Sequence, residues 1–130
     1  MEARGVVIDT SIFIDYLRAK NKEKTKLQTL PNDTFVCVSS ITLYELYMGA
    51  TNPQKWIDVT TLTDSLQVLP FNKEVAEKAA TIYQDLRRSN NIIEFRDIFI
   101  AATAIVYTLP VWSTNKKHFN RIKDLILFNE

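Results

Sequence analysis

Among 130 residues there are two glycines, one cysteine and one histidine, and each scarcity removes a class of chemistry. With Cys37 alone, neither an intramolecular disulfide nor a thiolate zinc cage can be built. Cys37 falls in the apolar run Phe35-Val36-Cys37-Val38 and reads as a small buried side chain. His118 cannot make a histidine metal cluster and has no evident serine or cysteine partner, which argues against Ser-His-Asp and Cys-His catalysis. It reads as a structural side chain beside Phe119. Gly5 and Gly49 are too far apart for a phosphate-cradling loop, which removes P-loop and dinucleotide-binding folds. No apolar run approaches the ~18 residues of a membrane span. Residues 1–5 do not read as a signal peptide, so a cytoplasmic protein is expected, with no membrane partner.

Charge of one sign is also lacking. The net charge of +1 gives no bulk attraction for nucleic acid. Basic residues gather locally at Arg18, Lys20, Lys22, Lys24 and Lys26, and again at Lys116, Lys117, His118, Arg121 and Lys123. A solvated face is the default for such clusters; if the chain grips a phosphate backbone, these are the places to do it. A hydrophobic fraction of 46% over this length supports one domain, residues 1–130, with its own core.

Strand and helix patterns alternate along the chain. Val6-Val7-Ile8 reads as a buried strand ending at Asp9, and Thr10 or Ser11 can cap the helix that follows. The lysine-rich stretch after Ala19 suggests a second helix ending before Pro31. Residues 35–38 form the next strand. A helix through Leu43, Leu46 and Tyr47 follows, stopping near Gly49. Residues 53–65 are weakly helical, and residues 66–69 are strand-like. Lys73–Arg88 carries the clearest helical periodicity, at Val75, Ala79, Ile82 and Leu86. After the polar break Ser89-Asn90-Asn91, residues 97–108 form a nearly all-apolar helix. Residues 110–113 are strand-like, 116–122 a short helix and 125–128 a closing strand. The pattern predicts an α/β fold, with a central parallel sheet of about four or five strands and helices on both faces.

Ligands in such sheets bind at the carboxyl ends of the strands. That rule selects Asp9 after the first strand, Glu45 one turn into the second helix, Asp97 at the rim of the apolar helix, and Ser113 and Asn115 after the fourth strand. Acids crowded together repel one another, and a divalent cation offsets the repulsion. Oxygen donors without thiolates favour Mg²⁺ or Mn²⁺. Each residue has a structural alternative. Asp9 could belong to a capping cluster with Thr10 and Ser11, and Asp97 could be a plain N-cap. Thr42-Leu43-Tyr44-Glu45 has the spacing of a capping box, and pattern alone does not separate that role from a functional one. Asn115 alone reads as a turn or cap residue. Asp15 and Glu94 read as solvated, although Glu94 is close enough along the loop to reach such a site.

Four segments together resemble the PIN-domain family, specifically its VapC-type toxins. They are residues 7–15 (Val-Ile-Asp-Thr-Ser-Ile-Phe-Ile-Asp), 39–50 (Ser-Ser-Ile-Thr-Leu-Tyr-Glu-Leu-Tyr-Met-Gly-Ala), 96–104 (Arg-Asp-Ile-Phe-Ile-Ala-Ala-Thr-Ala) and 113–119 (Ser-Thr-Asn-Lys-Lys-His-Phe). The likeness spans essentially the whole chain. It implies that Asp9, Glu45 and Asp97 match the family's acidic metal-binding set, with Asn115 at the fourth position and Ser113 where threonine is usual. It further implies RNA cleavage with Mg²⁺ or Mn²⁺, inhibition of translation, a homodimer or a higher assembly, and silencing by a small cognate antitoxin. Asn115 in place of an acid leaves the site one negative charge short, so a second ion would be held more weakly.

The expectation is therefore a metal-dependent endoribonuclease of a toxin–antitoxin pair. Asp9 and Asp97 would ligate the metal directly, with Glu45 ligating it through water or orienting the attacking water. Asn115, Ser113, Thr10 and Ser11 would support them. Lys116, Lys117 and Arg121 would position the RNA backbone, and Tyr44, Tyr47 or Trp112 would stack on bases. One rival is a PIN-like module that holds RNA or a protein without cleaving. Another is a phosphatase with Asp9 as nucleophile, which Ser11 disfavours because haloacid-type phosphatases carry an aspartate at that spacing.

Overall fold

In a computed structural model, residues 4–128 are described. Residues 1–3, part of the opening stretch considered for a signal peptide, lie outside them. The elements are β1 (Arg4–Ile8), α1 (Thr10–Arg18), β2 (Thr34–Ser39), α2 (Ser40–Met48), α3 (Pro53–Thr63), β3 (Gln67–Leu69), α4 (Lys73–Arg88), α5 (Phe95–Val106), β4 (Val111–Trp112) and α6 (Lys116–Phe119). Four parallel strands stand in the order β3-β2-β1-β4, with Val7 paired to Cys37 on one side and to Val111 on the other.

Successive strand residues face opposite sides of a sheet, and here the two sides feed two separate cores. Val6, Ile8, Val38 and Trp112 pack with Ile12, Phe13, Leu46 and Val59 from α1, α2 and α3. Val7, Cys37, Leu69 and Val111 pack with Val75, Ala79, Ile82 and Leu86 of α4, with α5, and with Phe119 of α6. Val6, Val7 and Ile8 are fully buried on both faces of the sheet, which accounts for an apolar run without alternation. Cys37 is 1% exposed, and burial pushes its thiol pKa up.

Three expectations change. The lysine-rich stretch forms two short 3-10 turns, Lys22–Lys24 and Lys26–Thr29, instead of an α-helix. The Thr25 and Thr29 hydroxyls donate to the carbonyls of Lys22 and Lys26, local bonds that compete with a continuing helix. Residues 125–128 contribute an isolated bridge between Leu127 and Val111, because the two-residue β4 offers little edge for a fifth strand. And α5 starts at Phe95, two residues before the expected position, with no side-chain cap to mark it.

Helices α4 and α5 end in the same way. After α4, the Asn90 and Asn91 amides donate to the carbonyls of Arg87 and Leu86. After α5, the Thr108 and Leu109 amides donate to those of Ile105 and Ala104. This closure needs a left-handed residue, supplied by Asn90 at φ 58° and by Thr108 at φ 58°. Asparagine tolerates that conformation; a β-branched threonine resists it. Replacing exposed Thr108 by glycine is expected to stabilise the fold by about 0.5–1 kcal/mol, relief of left-handed strain exceeding the entropy glycine loses. Urea unfolding would show it, with Asn90→Gly shifting the midpoint less.

Candidate active site

The sheet order defines the site. The chain winds outward from β1 to β2 to β3, then crosses to β4 on the other side of β1. The crevice at such a switch point opens between the carboxyl ends of β1 and β4. Asp9 leaves β1 there as the N-cap of α1, and Ser113 follows β4. Their side chains meet: the Ser113 hydroxyl donates to Asp9 Oδ2 at 2.7 Å, and the Thr10 amide donates to Oδ1 at 2.7 Å. The Asn115 amide donates to Ser113 Oγ at 2.8 Å, fixing the hydroxyl's orientation.

Asp9 is 7% exposed and Asp97 only 4%. Burial raises the Asp9 pKa above the ordinary carboxylate value, and the negative charges of Asp97 and Glu45 raise it further. The hydrogen bonds from Ser113 and Thr10 work in the opposite direction without cancelling the rise. The structure thus brings the three acids, separated by 36 and 52 positions along the chain, into one electrostatic neighbourhood.

Each of the other two acids has its own compensation. The Thr10 hydroxyl donates to Glu45 Oε1 at 2.8 Å, and Arg96 Nη1 donates to Oε2 at 3.0 Å. Arg96 Nε also reaches Glu94 at 3.0 Å. Asp97 Oδ2 lies 3.2 Å from His118 Nδ1, and that nitrogen is 2.7 Å from the Asn115 side-chain amide. A protonated Nδ1 donates to Asp97, whereas a bare Nδ1 accepts from the Asn115 amide.

Several sequence expectations are settled by this geometry. Glu45 does not belong to a capping box: Ser39 caps α2, accepting from the Thr42 amide at 3.1 Å, and Thr42 lies inside the helix. Asp97 is not an N-cap but sits in the first turn of α5, where the helix dipole favours an acid. Asp9 does cap α1, and holds its place in the acidic neighbourhood at the same time. His118 is not merely a neighbour of Phe119, since it contacts Asp97 and Asn115. Thr10 and Ser113 lie against Asp9, whereas Ser11 is exposed and pairs with Thr114. Lys116, Lys117 and Arg121 are exposed on α6 and just beyond it. Tyr44 is exposed next to Glu45, and Tyr47 is held by Thr60 and Trp56. Trp112, at 1% exposure, belongs to the core and cannot stack on a base. Arg96 was not anticipated; its adjacency to Asp97 in the quoted segment 96–104 was the available signal.

Among the described residues, no three carboxylate, imidazole or thiolate groups form a ready-made metal cage. The donor set nonetheless fits a hard divalent cation. It offers oxygen donors, and the Asp9 pKa, raised first by burial and further by like charges, marks a negative site that a cation would offset.

Fold and site together define a PIN-domain protein: the family model described as "PIN domain" matches residues 6–125, and the chain belongs to that family. Its relatives are named as ribonucleases. It is 33% identical over 128 residues to Ribonuclease VapC1 of Rickettsia felis, covering 93% of this chain and 92% of that protein. It is 28% identical over 123 residues to Ribonuclease VapC1 of Methanocaldococcus jannaschii, covering 95% and 85%. Among solved structures, DNA-bound VapBC from Salmonella typhimurium superimposes with a TM-score of 0.84 at 26% identity, covering 96% of this chain and 97% of that one.

The raised Asp9 pKa carries a pH signature. The fold binds the Asp9 proton more tightly than the unfolded chain does. The associated stability is therefore fully present below the ordinary aspartate value of 3.8 and is lost as pH rises through the folded value. Asp9→Asn removes the cost of the ionised form. In metal-free buffer at pH 7.5 it is expected to raise Tm by about 2–5 °C, a gain that vanishes toward pH 3.5. Thermal unfolding at both pH values measures it.

Proposed function

We propose that this protein is an endoribonuclease that hydrolyses RNA phosphodiesters with Mg²⁺ or Mn²⁺, and that it is the toxin of a toxin–antitoxin pair. The observation that carries the reading is the buried Asp9 carboxyl, pressed by Asp97 and Glu45 at the switch point of a PIN-domain sheet. Perturbed acids at a strand-end crevice mark functional sites, because folding alone gains nothing from their repulsion. The ribonuclease names of the relatives support the choice of substrate. A partner is supported by one solved neighbour described as DNA-bound VapBC and another described as a member of the VapBC family of toxin–antitoxin systems, and inhibition of translation would be the consequence of RNA cleavage.

Asp9, Asp97 and Glu45 would hold the cation. Bound there, it would supply Lewis acidity and offset the negative charge that builds on the phosphoryl and leaving oxygens during in-line displacement. Ser113 and Thr10 fix both Asp9 oxygens, so that this carboxylate meets its ligand already oriented. Asn115 holds Ser113, and through it Asp9, by its backbone amide, and its side-chain amide lies against His118 Nδ1. Lys116, Lys117 and Arg121 lie just beyond Asn115 in the chain, where they would hold the RNA backbone. A homodimer and a cytoplasmic setting complete the proposal; no helix among the described residues is long and apolar enough to cross a membrane.

The test is RNA cleavage by the free protein with Mg²⁺ or Mn²⁺, repeated with chelator and with Asp97→Asn. Chelation is expected to abolish cleavage. The substitution should lower kcat/KM by more than ~100-fold, beyond the usual loss from removing an outer-shell partner. Cleavage that survives either change would overturn the metal mechanism. Wild-type protein that takes up no Mn²⁺ in calorimetry would instead favour a non-cleaving binding module.

A further inference from the structure

We propose that Arg96 is a built-in counter-ion that closes the acidic site, so that a divalent cation gains Glu45 only by displacing its guanidinium. The inference rests on the metal-site reading above and adds to it a competitor supplied by the chain itself.

Both Glu45 oxygens are engaged, and one of the partners is a cation. The Glu45 side chain is 10% exposed, with Thr10 on Oε1 and Arg96 on Oε2. A cation approaching Glu45 therefore meets an existing positive charge. That charge cannot be removed by deprotonation, because a guanidinium keeps its proton at any accessible pH. Glu45 is the main reason the Arg96 pKa stands above its ordinary value, with Glu94 and Asp97 adding to the rise. Arg96 thus pairs with one of the three proposed metal acids and adjoins a second, Asp97, in the chain.

The side chain is also free to leave. It is 56% exposed, so moving it opens no cavity in either core. A second acceptor is already engaged: Glu94, 64% exposed on the outer side, is 3.0 Å from Nε. The guanidinium can retain Glu94 while releasing Glu45, and Arg96 stays tethered in the first turn of α5 beside Asp97. By contrast, the compensation of Asp9 comes from a backbone amide and a buried serine, which carry no charge that competes with a cation.

The experiment is Mn²⁺ titration of the full chain by calorimetry, without RNA, for wild type, Arg96→Gln, Arg96→Lys, Glu94→Gln and the double variant Arg96→Gln/Glu94→Gln. Circular dichroism checks that each is folded. Arg96→Gln is expected to bind Mn²⁺ ~5–20-fold more tightly, the usual span of a coupling between two sites. Arg96→Lys keeps the charge and should stay within about twofold of wild type. Glu94→Gln removes the outer acceptor and should weaken binding in the wild-type background, and less in the Arg96→Gln background, where there is no guanidinium to redirect. Arg96→Gln binding no tighter than wild type would overturn the counter-ion role and leave the metal site standing. Equal effects of Glu94→Gln in both backgrounds would overturn the exchange between acceptors. A wild type and an Arg96→Gln variant that both take up no Mn²⁺ would sink the metal-site reading and this inference with it.

Discussion

Three like charges share one crevice, and the rest of the site is arranged around that repulsion. Asp9 is buried at the end of β1 with Asp97 and Glu45 both acting on it. Burying a carboxylate is costly, and further negative charge nearby adds to the cost. The fold does not avoid the arrangement; its topology creates it. Because β4 lies beside β1 and not beyond β3, the residue after β1 and the residue after β4 face each other across the switch point. The same buried strands that anchor both cores hold Asp9 in place, so the acid cannot relax into solvent without disturbing Val7 and Ile8.

The three acids are compensated by different means. Asp9 receives neutral donors, Glu45 a hydroxyl and a permanent cation, and Asp97 an imidazole within reach of Asn115. Neutral donors orient a carboxylate while leaving its charge in place. A permanent cation removes most of that charge from view until something displaces it. The site's electrostatic character is therefore uneven: strongly negative around Asp9, partly masked around Glu45.

The parts of the fold that could be read from the sequence are those in which one pattern had one explanation. The period of α4 and the unbroken apolar runs of β1 and α5 correspond directly to burial. The turn after α4 was readable because Asn90 suits a left-handed turn, whereas Thr108 does the same work after α5 against its own preference and gave no such signal. The lysine-rich stretch misled because threonine–carbonyl bonds, invisible to periodicity, outcompete the helix. Glu45 sat on two overlapping patterns, and what decided between them was Ser39, which a strand prediction ending at Val38 had left outside the helix start. The acids themselves could be placed by the strand-end rule, but their counter-charges could not. Arg96 and His118 meet Glu45 and Asp97 across 51 and 21 positions, a separation that no local spacing encodes.

The site also straddles the two layers of the molecule. Asp9, Thr10 and Glu45 belong to α1 and α2, which pack on one face of the sheet; Asp97, Arg96 and His118 belong to α5 and α6, which pack on the other. Each layer has its own apolar core, and the sheet separates them. Beyond the strand ends the sheet no longer intervenes, and the Arg96–Glu45 pair joins α5 to α2 directly. Electrostatic contacts are the cross-layer connection that water can reach and a ligand can exchange, whereas the cores are dry and fixed. A charge entering between the acids would therefore replace one bridge between the layers with another, and the rigid cores behind them would hold the distances while the exposed guanidinium takes up the change. That division of labour, fixed acids and a movable counter-charge, follows from where each side chain is rooted: Asp9 at a buried strand end, Glu45 within α2 and Asp97 in the buried first turn of α5, with the Arg96 side chain on the open rim.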